Sequence, residues 1–148
     1  MISIPRENNP SQKPERQTMT NFQIERTRIL LIDDDDDARD LATLTLKEYM
    51  LSCASNFDEG LRLAKEENFK LFILDSRLLD RSGVELCRAI RKFDAQTPIL
   101  FYSGAAFERD IEEALRAGAQ AYLTKPTTPT ELRQEIARLI SYAPKTPP

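Results

Sequence analysis

The stretch ILLIDDDDD, residues 29–37, places four consecutive aliphatic residues directly before five aspartates. A short apolar run bounded by polar residues predicts a strand that is buried on both faces, with the aspartates at its carboxyl end. Neighbouring carboxylates repel by roughly 1 kcal/mol in water and roughly 4 kcal/mol at an effective dielectric near 20, so the cluster favours a cation. Oxygen ligands suit a hard ion, Mg²⁺ above all. The alternative is a solvated acidic turn in which Asp35 or Asp36 caps the next helix.

Composition and charge limit the classes of function. The 148 residues are 41% hydrophobic and 30% charged, which predicts one globular domain. A net charge of -3, a pI near 5.1 and no basic stripe argue against a nucleic-acid partner. No apolar run approaches the roughly 18 residues of a membrane span, and the N-terminus lacks a signal peptide, so we expect a cytoplasmic protein with no membrane partner.

Two residue types exclude further chemistry. Histidine is absent, which removes the commonest zinc ligand and every acid–base scheme that needs an imidazole. Cys53 and Cys87 lie far apart in apolar contexts, which predicts buried free thiols rather than a disulfide or metal site.

Pattern changes divide the chain into three parts. Residues 1–27 are rich in proline and polar residues, which predicts a flexible extension, with docking of residues 22–24 on the domain as the alternative. Residues 28–143 form the predicted domain, and residues 144–148 form a proline-rich tail. Within the domain, apolar runs predict five strands that alternate with five helices, which is a doubly wound parallel sheet. The predicted strands are residues 29–32, 51–55, 70–75, 97–103 and 119–124.

The helices are predicted from apolar residues at helical spacing. The first runs from about Asp36 to Met50, with Leu41 and Tyr49 on its buried face. Leu115 is predicted on the buried face of the fourth helix, which ends at Gly118. The other helical signals are an N-cap at Asn56, apolar positions at Leu86, Cys87 and Ile90, and a capping box over residues 128–131.

Function in such a fold collects beyond the carboxyl ends of the strands. The strands deliver there Asp33 and Asp34, then Asp75, Ser103 and Lys125. Three carboxylates suit one Mg²⁺, and Asp75 is the obvious nucleophile toward a phosphorus centre. Lys125 would supply a cation and Ser103 a hydrogen bond to a phosphoryl oxygen.

The sequence resembles a bacterial response-regulator receiver domain over roughly residues 27–141. The resemblance rests on an acidic pair after ILLI, an aspartate after LFIL, a glycine eight positions later, a serine after PILFY and a Lys-Pro pair after AYLT. These residues are Asp33, Asp34, Asp75, Gly83, Ser103, Lys125 and Pro126. The predicted fold is therefore a flavodoxin-like α/β sheet of order 2-1-3-4-5 with five helices.

The resemblance implies Mg-dependent transfer of a phosphoryl group onto Asp75 from a histidine kinase, a phosphotransfer protein or a small phosphodonor. It implies Mg²⁺ ligands from Asp33, Asp34, Asp75 and the main-chain carbonyl of Arg77. It also implies a cis peptide before Pro126. Such a domain is a phosphoacceptor that catalyses only its own phosphorylation and dephosphorylation, and it is not otherwise an enzyme.

The predicted switch consists of Ser103 and Tyr122, which stands at the family's switch-aromatic position. If Ser103 moves inward to bond the phosphoryl group, the ring of Tyr122 can turn from solvent into the vacated space. A downstream protein would then read the face made by the fourth helix, fifth strand and fifth helix. Few residues follow the fifth helix, so we expect a single-domain regulator that is a monomer or weak homodimer.

Three positions depart from the family pattern. Leu79 stands where the family usually has proline, which predicts a looser loop after Asp75. Gly104 replaces the common alanine and opens the approach to the phosphoryl group, and Arg77 is bulky at a position that tunes dephosphorylation. Two other functions remain open: a receiver that binds partners without phosphorylation, and a haloacid-dehalogenase-like phosphatase, which would need a further acidic motif after its lysine.

Overall fold

The computed structural model describes residues 26–141. The tail at residues 144–148 and all but the last two residues of the predicted extension lie outside this range, as do residues 22–24. Over the described residues, five parallel strands form one sheet in the order β2-β1-β3-β4-β5, which confirms the predicted doubly wound α/β fold with five helices. The strands are Arg28–Ile32 (β1), Met50–Ala54 (β2), Leu71–Leu74 (β3), Ile99–Ser103 (β4) and Ala121–Thr124 (β5). The helices are Asp36–Thr45 (α1), Phe57–Glu66 (α2), Gly83–Arg91 (α3), Glu108–Ala117 (α4) and Pro129–Ser141 (α5).

The central strand β1 shows why its sequence is apolar without alternation. Ile29 and Leu31 pack in the layer that contains α1 and α5, while Leu30 and Ile32 pack in the layer that contains α2, α3 and α4. All four side chains are buried. Helices therefore cover both faces of the sheet, and every residue of this run has an apolar neighbour.

Three helices begin at the predicted caps. The Asp35 side chain accepts a hydrogen bond from the Asp37 N–H at 3.1 Å, which selects Asp35 as the cap of α1. Asn56 accepts from the N–H three residues later at 2.8 Å. At α5, Thr128 and Glu131 each accept a bond from the other's N–H at 3.0 Å, the reciprocal pattern of a capping box.

The first helix is shorter than the sequence predicts. It ends at Thr45 because Leu46 leaves the helical region, and Met50 begins β2 instead of ending the helix. The prediction for Tyr49 was wrong about its element: its partly buried side chain projects from the turn before β2. Leu41 was also wrongly predicted to be buried, since it is 65% exposed and Ala42 is the buried residue of this helix.

The fourth helix contains a similar error. Leu115 is 45% exposed, and the buried positions of α4 are Ala114 and Ala117. The predicted stop at Gly118 is confirmed, because this residue caps α4 with a φ of 119°. Such a left-handed conformation favours glycine.

One arginine fastens the C-terminal ends of two helices. The Arg91 guanidinium, at the end of α3, donates to the Gly118 carbonyl from Nε at 3.1 Å and from Nη2 at 2.9 Å. It also donates to the Asp94 carbonyl and to Gln120 Oε1, each at 2.9 Å. The N-terminal end of α4 differs, since its cap residue Phe107 provides no side-chain hydrogen bond.

Two further predictions concern composition. Cys87 is buried and Cys53 is partly buried, and both are free thiols. In the part of the chain that the structure describes, no helix combines the length and the apolar character needed to cross a membrane.

Candidate functional site

The sheet register places two aspartates side by side. Ile32 and Leu74, the last residues of β1 and β3, are partners in the parallel ladder. Asp33 and Asp75 therefore leave the sheet together. The Asp75 N–H donates to the Ile32 carbonyl at 3.0 Å, which extends the ladder by one residue and fixes the spacing of the two carboxylates.

The register of β4 and β5 likewise brings Lys125 and Ser103 together. Ser103 pairs with Thr124 at the ends of β4 and β5, and the Lys125 N–H donates to the Ser103 carbonyl at 2.8 Å. The peptide bond between Lys125 and Pro126 is cis. The carboxyl edge of the sheet thus gathers the predicted residues Asp33, Asp34, Asp75, Ser103 and Lys125.

Asp33 is the most enclosed of the carboxylates. It is 2% exposed, and both of its oxygens are engaged: Oδ1 accepts from the Asp35 N–H at 3.0 Å, and Oδ2 accepts from Lys125 Nζ at 2.8 Å. Burial raises the pKa of Asp33, and the bonds from Lys125 and Asp35 oppose this rise. Its main-chain carbonyl accepts from Arg39 Nη1 at 2.7 Å, so its backbone is also held.

Three carboxylates converge on one point. One oxygen from each of Asp33, Asp34 and Asp75 lies within 4.8 Å of the others. Lys125 Nζ lies 3.4 Å from Asp75 Oδ2 in addition to its bond to Asp33. When all four groups are ionised, three negative charges face a single positive charge, so the cluster attracts a further cation.

Lys125 contacts the ring of Tyr102 as well as the two carboxylates. Burial lowers its pKa, but the bonds and charges of Asp33 and Asp75 outweigh burial and raise the pKa, which keeps the ammonium charged. Its Nζ also lies 5.2 Å from the ring centroid of Tyr102, whose hydroxyl is 3.1 Å from Thr127 Oγ1. Tyr102 is a contact of the site that no sequence motif predicted. Its position before Ser103 was the available signal, since alternation along β4 turns it toward the face of the sheet that carries α5.

Ser103 is buried beside a second serine, Ser76, which no sequence motif predicted as part of the site. Ser103 is 1% exposed, and its Oγ lies 2.6 Å from Ser76 Oγ. Ser103 Oγ also accepts from the Ala105 N–H at 3.2 Å. The only sequence signal for Ser76 was that a hydroxyl residue directly follows Asp75.

An open cleft gives solvent access to these groups. Its volume is about 570 Å³, and it is wide enough to admit a phosphoryl group. Arg77 lies at the rim of the cleft, and its N–H donates to Asp75 Oδ1 at 3.3 Å. The cleft is lined by Asp34, Asp75, Arg77, Ser103 and the segment 104–107.

The loop after Asp75 is closed, although the leucine at position 79 predicted a looser one. The Leu78 N–H donates to the Arg81 carbonyl at 3.0 Å, and Arg77 and Ser82 form an antiparallel bridge. Leu78 is buried and anchors the loop. The Arg81 guanidinium carbon lies 3.5 Å from the ring centroid of Phe57, which ties the loop to α2.

Tyr122 has its ring turned inward, whereas the predicted switch begins with this ring in solvent. The ring stacks on Phe101 with centroids 5.7 Å apart, and its hydroxyl donates to the Ala105 carbonyl at 2.6 Å. Ala105 thus bonds Ser103 through its N–H and Tyr122 through its carbonyl. The two predicted switch residues are connected by a single residue of the β4–α4 loop.

A family model described as the response regulator receiver domain matches residues 29–137. The chain belongs to this family. Among curated relatives, the receiver is similar to the transcriptional regulatory protein ResD of Bacillus subtilis (strain 168), with 32% identity over 126 residues that are 84% of this chain and 52% of ResD. It is 35% identical over 115 residues to the cell cycle response regulator CtrA of Brucella ovis, which covers 76% of this chain and 50% of CtrA. The chain spans about half the length of these relatives.

Solved structures agree with this assignment. A CheY-like receiver domain protein from Methanospirillum hungatei JF-1 has a TM-score of 0.75 and 31% identity, over 78% of this chain and 94% of that one. The receiver domain of the sensor histidine kinase PA1611 from Pseudomonas aeruginosa PAO1 has a TM-score of 0.74 and 26% identity, over 79% and 99% of the two chains. That structure has a magnesium ion coordinated in its active-site cleft. Receiver domains are phosphoacceptor signalling domains that interact with histidine kinases or phosphotransfer proteins.

Proposed function

We propose that this receiver accepts a phosphoryl group on Asp75, in a Mg-dependent reaction, from a histidine kinase or phosphotransfer protein. The observation that carries the proposal is the cluster in which the Asp75 carboxylate, which lines the cleft, meets two other carboxylates and the Lys125 ammonium. A nucleophile, a place for a divalent cation and a fixed positive charge are the parts that phosphoryl transfer requires.

The geometry favours Asp75 over Asp33 as the nucleophile. Both oxygens of Asp33 are occupied, and the residue is almost completely buried. The Asp75 side chain is 16% exposed and lines the cleft, and its bonds to Arg77 N and Lys125 Nζ are long at 3.3 and 3.4 Å. Asp75 therefore presents an oxygen that an incoming phosphorus atom can reach.

The residues present fit a magnesium ion. Hard carboxylate oxygens within 4.8 Å of one another match its ligand preference, and the excess negative charge favours its binding. Asp33, Asp34, Asp75 and the main-chain carbonyl of Arg77 would hold the ion. Magnesium, when bound, would offset charge on the transferring phosphoryl group.

In the transfer, an Asp75 oxygen forms a bond to phosphorus while the phosphorus–nitrogen bond of the donor's phosphoimidazole breaks. The electron pair of that bond remains on the imidazole nitrogen, which takes up a proton from solvent. Lys125 Nζ, 3.4 Å from Asp75 Oδ2, places positive charge next to the reacting oxygen. The Ser103 hydroxyl lines the same cleft and donates to a phosphoryl oxygen.

Intact mass measurement after incubation with acetyl phosphate tests this proposal. Wild type should gain one phosphoryl group in the presence of Mg²⁺ and none in the presence of EDTA. Asp75→Asn should gain none. Asp37→Asn is the matched control, because Asp37 belongs to the same aspartate run but lies outside the carboxylate cluster.

Other outcomes would redirect the assignment. Equal labelling of Asp75→Asn and wild type would refute Asp75 as the acceptor. A wild type that is never labelled but still binds partners would support the phosphorylation-independent receiver. Repeated turnover of a phosphomonoester would support the phosphatase.

We further propose that a downstream protein reads the face made by α4, β5 and α5. The support is the path from the cleft to that face: Ser103 bonds the Ala105 N–H, and the Ala105 carbonyl bonds Tyr122 on β5. A phosphoryl group that draws Ser103 toward itself changes this loop and the start of α4. A shift from 10% to 90% active needs roughly 2.6 kcal/mol, and a charge-assisted hydrogen bond of about 1.5–3 kcal/mol supplies most of it.

Amide chemical shifts with and without beryllofluoride test this output route. Wild type should show shifts in α4, β5 and α5, and Ser103→Ala should lose most of them. Shifts confined to the acidic cleft would contradict the proposed face.

A further inference from the structure

We propose that the Ser76 hydroxyl is a positioning group for Ser103, and that it orients the Ser103 proton toward a phosphoryl group on Asp75. This inference rests on the proposed phosphorylation of Asp75. It assigns a role to a residue that contributes no ligand to the carboxylate cluster.

The geometry fixes Ser76 in relation to both partners. It follows Asp75 in the chain, and its main-chain carbonyl accepts from the Gly83 N–H at 2.8 Å, so its backbone is held by the first residue of α3. Its Oγ lies 2.6 Å from Ser103 Oγ. The hydroxyl pair therefore joins the segment after β3 to the end of β4, directly beside the nucleophile.

Counting donors and acceptors shows what this pair decides. A serine hydroxyl has one proton to donate and two lone pairs to accept with. The Ala105 N–H occupies one lone pair of Ser103 Oγ. If Ser103 donates its proton to Ser76, none is left for a phosphoryl oxygen.

The opposite direction of the bond leaves the proton of Ser103 free. If Ser76 donates, Ser76 and Ala105 occupy both lone pairs of Ser103 Oγ. The Ser103 proton is then free to be donated to a phosphoryl oxygen on Asp75. Hydrogen bonds in series polarise one another, so a Ser103 hydroxyl that accepts two bonds is a stronger donor. A phosphoryl group on Asp75 thus selects the arrangement in which Ser76 donates.

The effect of Ser76 extends to the β4–α4 loop. Ser103 is anchored between Ser76 and Ala105, and the Ala105 carbonyl accepts from the Tyr122 hydroxyl at 2.6 Å, so the position that Ser76 gives to Ser103 also affects this loop. Loss of the Ser76 hydroxyl leaves Ser103 with one anchor in place of two. We therefore expect Ser76→Ala to weaken the phosphorylated state more than the unmodified one.

Beryllofluoride binding in the presence of saturating Mg²⁺ tests the inference, with ¹⁹F NMR as the readout. Ser76→Ala should weaken beryllofluoride affinity about fivefold, the size expected for one net hydrogen bond. Ser76→Thr, which keeps the hydroxyl, should stay close to wild type. Mg²⁺ affinity, measured separately, should be unchanged in both variants, whereas general damage to the cleft would lower both affinities.

A double-mutant cycle separates positioning from a structural role. In a Ser103→Ala background, Ser76→Ala should have no further effect on beryllofluoride affinity, because the hydroxyl that it orients is gone. Ser52→Ala, in the edge strand β2, controls for the loss of a partly buried serine far from the cleft.

The possible results lead to different conclusions. A Ser76→Ala protein with wild-type affinity, or an undiminished effect in the Ser103→Ala background, would overturn the positioning role. A wild type that binds no beryllofluoride would instead refute the proposed phosphorylation of Asp75.

Discussion

Gly83→Ala is the substitution whose effect the geometry determines most directly. Gly83 opens α3 and lies against the backbone that carries the proposed phosphoacceptor. A Cβ at this position would lie 2.0 Å from the Asp75 carbonyl oxygen and 3.0 Å from its carbonyl carbon. Since Cβ atoms essentially never come within 3.0 Å of a neighbour, the two segments must separate by about 1 Å. No side-chain rotation relieves the contact, because the three atoms nearest the added methyl all belong to the main chain.

Two magnitudes follow from this displacement. Overpacking of a well-packed interior costs about 1–3 kcal/mol of unfolding free energy. For a domain of this size, each kcal/mol lowers Tm by about 4 °C, so we expect a decrease of about 4–12 °C. A reacting oxygen that is misplaced by about 1 Å also costs about 10²-fold in rate, so labelling of Asp75 should slow by that factor.

Urea unfolding and the initial rate of labelling by acetyl phosphate measure the two effects. Gly104→Ala is the matched control for stability: a Cβ there meets nothing within 4 Å, and its φ is not positive. It should keep its stability or gain about 0.4–1 kcal/mol, because alanine restricts the unfolded chain. The reasoning is refuted if Gly83→Ala keeps both the urea midpoint and the labelling rate of wild type, or if Gly104→Ala loses as much stability.

Three further predictions concern single side chains. Lys125→Ala should still accept a phosphoryl group, more slowly, but should not shift the amide signals of α4, because the phosphoryl group would lack its bond from the lysine ammonium. Burial raises the pKa of Asp94, but hydrogen bonds from the Thr97 and Gln96 N–H groups outweigh it and hold the pKa below its usual value. Asp94→Asn should therefore cost about 0.5–1 kcal/mol of unfolding free energy at pH 7. Urea titrations should show this difference disappear as the pH falls below the ordinary aspartate value of about 3.9 and through the lower folded value. Burial raises the pKa of Cys87 to about 11, so in a Cys53→Ser protein at pH 8 a thiol reagent should react with it only after unfolding.

The sequence predicted the sheet and the edge where function collects. Strands buried on both faces appear as unbroken apolar runs, and residues that follow parallel strands must meet at one edge. Asp33, Asp75 and Lys125 were therefore predictable from their positions after ILLI, LFIL and AYLT. Each of these predictions needed only the strand and the residue next to it.

Other features depend on contacts that no local pattern contains. The bond between Ser76 and Ser103 joins residues 27 positions apart, and its existence depends on side-chain directions at two strand ends. The end of α1 was predicted too late because Tyr49, which lies in the turn before β2 and is partly buried, continues the helical spacing of the apolar residues. The looser loop was predicted from Leu79, which stands where the family usually has proline. The burial of the single leucine Leu78 has no periodic signature, so the sequence did not indicate it.

The two ends of α4 are attached unequally, so this helix can tilt about its C-terminal end. Arg91 ties its C-terminal end to α3, whereas Phe107 leaves its N-terminal end without a side-chain cap. Ten residues of α-helix measure about 15 Å, so a tilt of about 5° around the tied end moves the other end by about 1.3 Å. The end that would move is the one that adjoins Ala105 and the cleft, and the tied end would barely change place. Under the proposed switch, a displacement of atomic size at the carboxylates would thus become a change of angle along a surface helix.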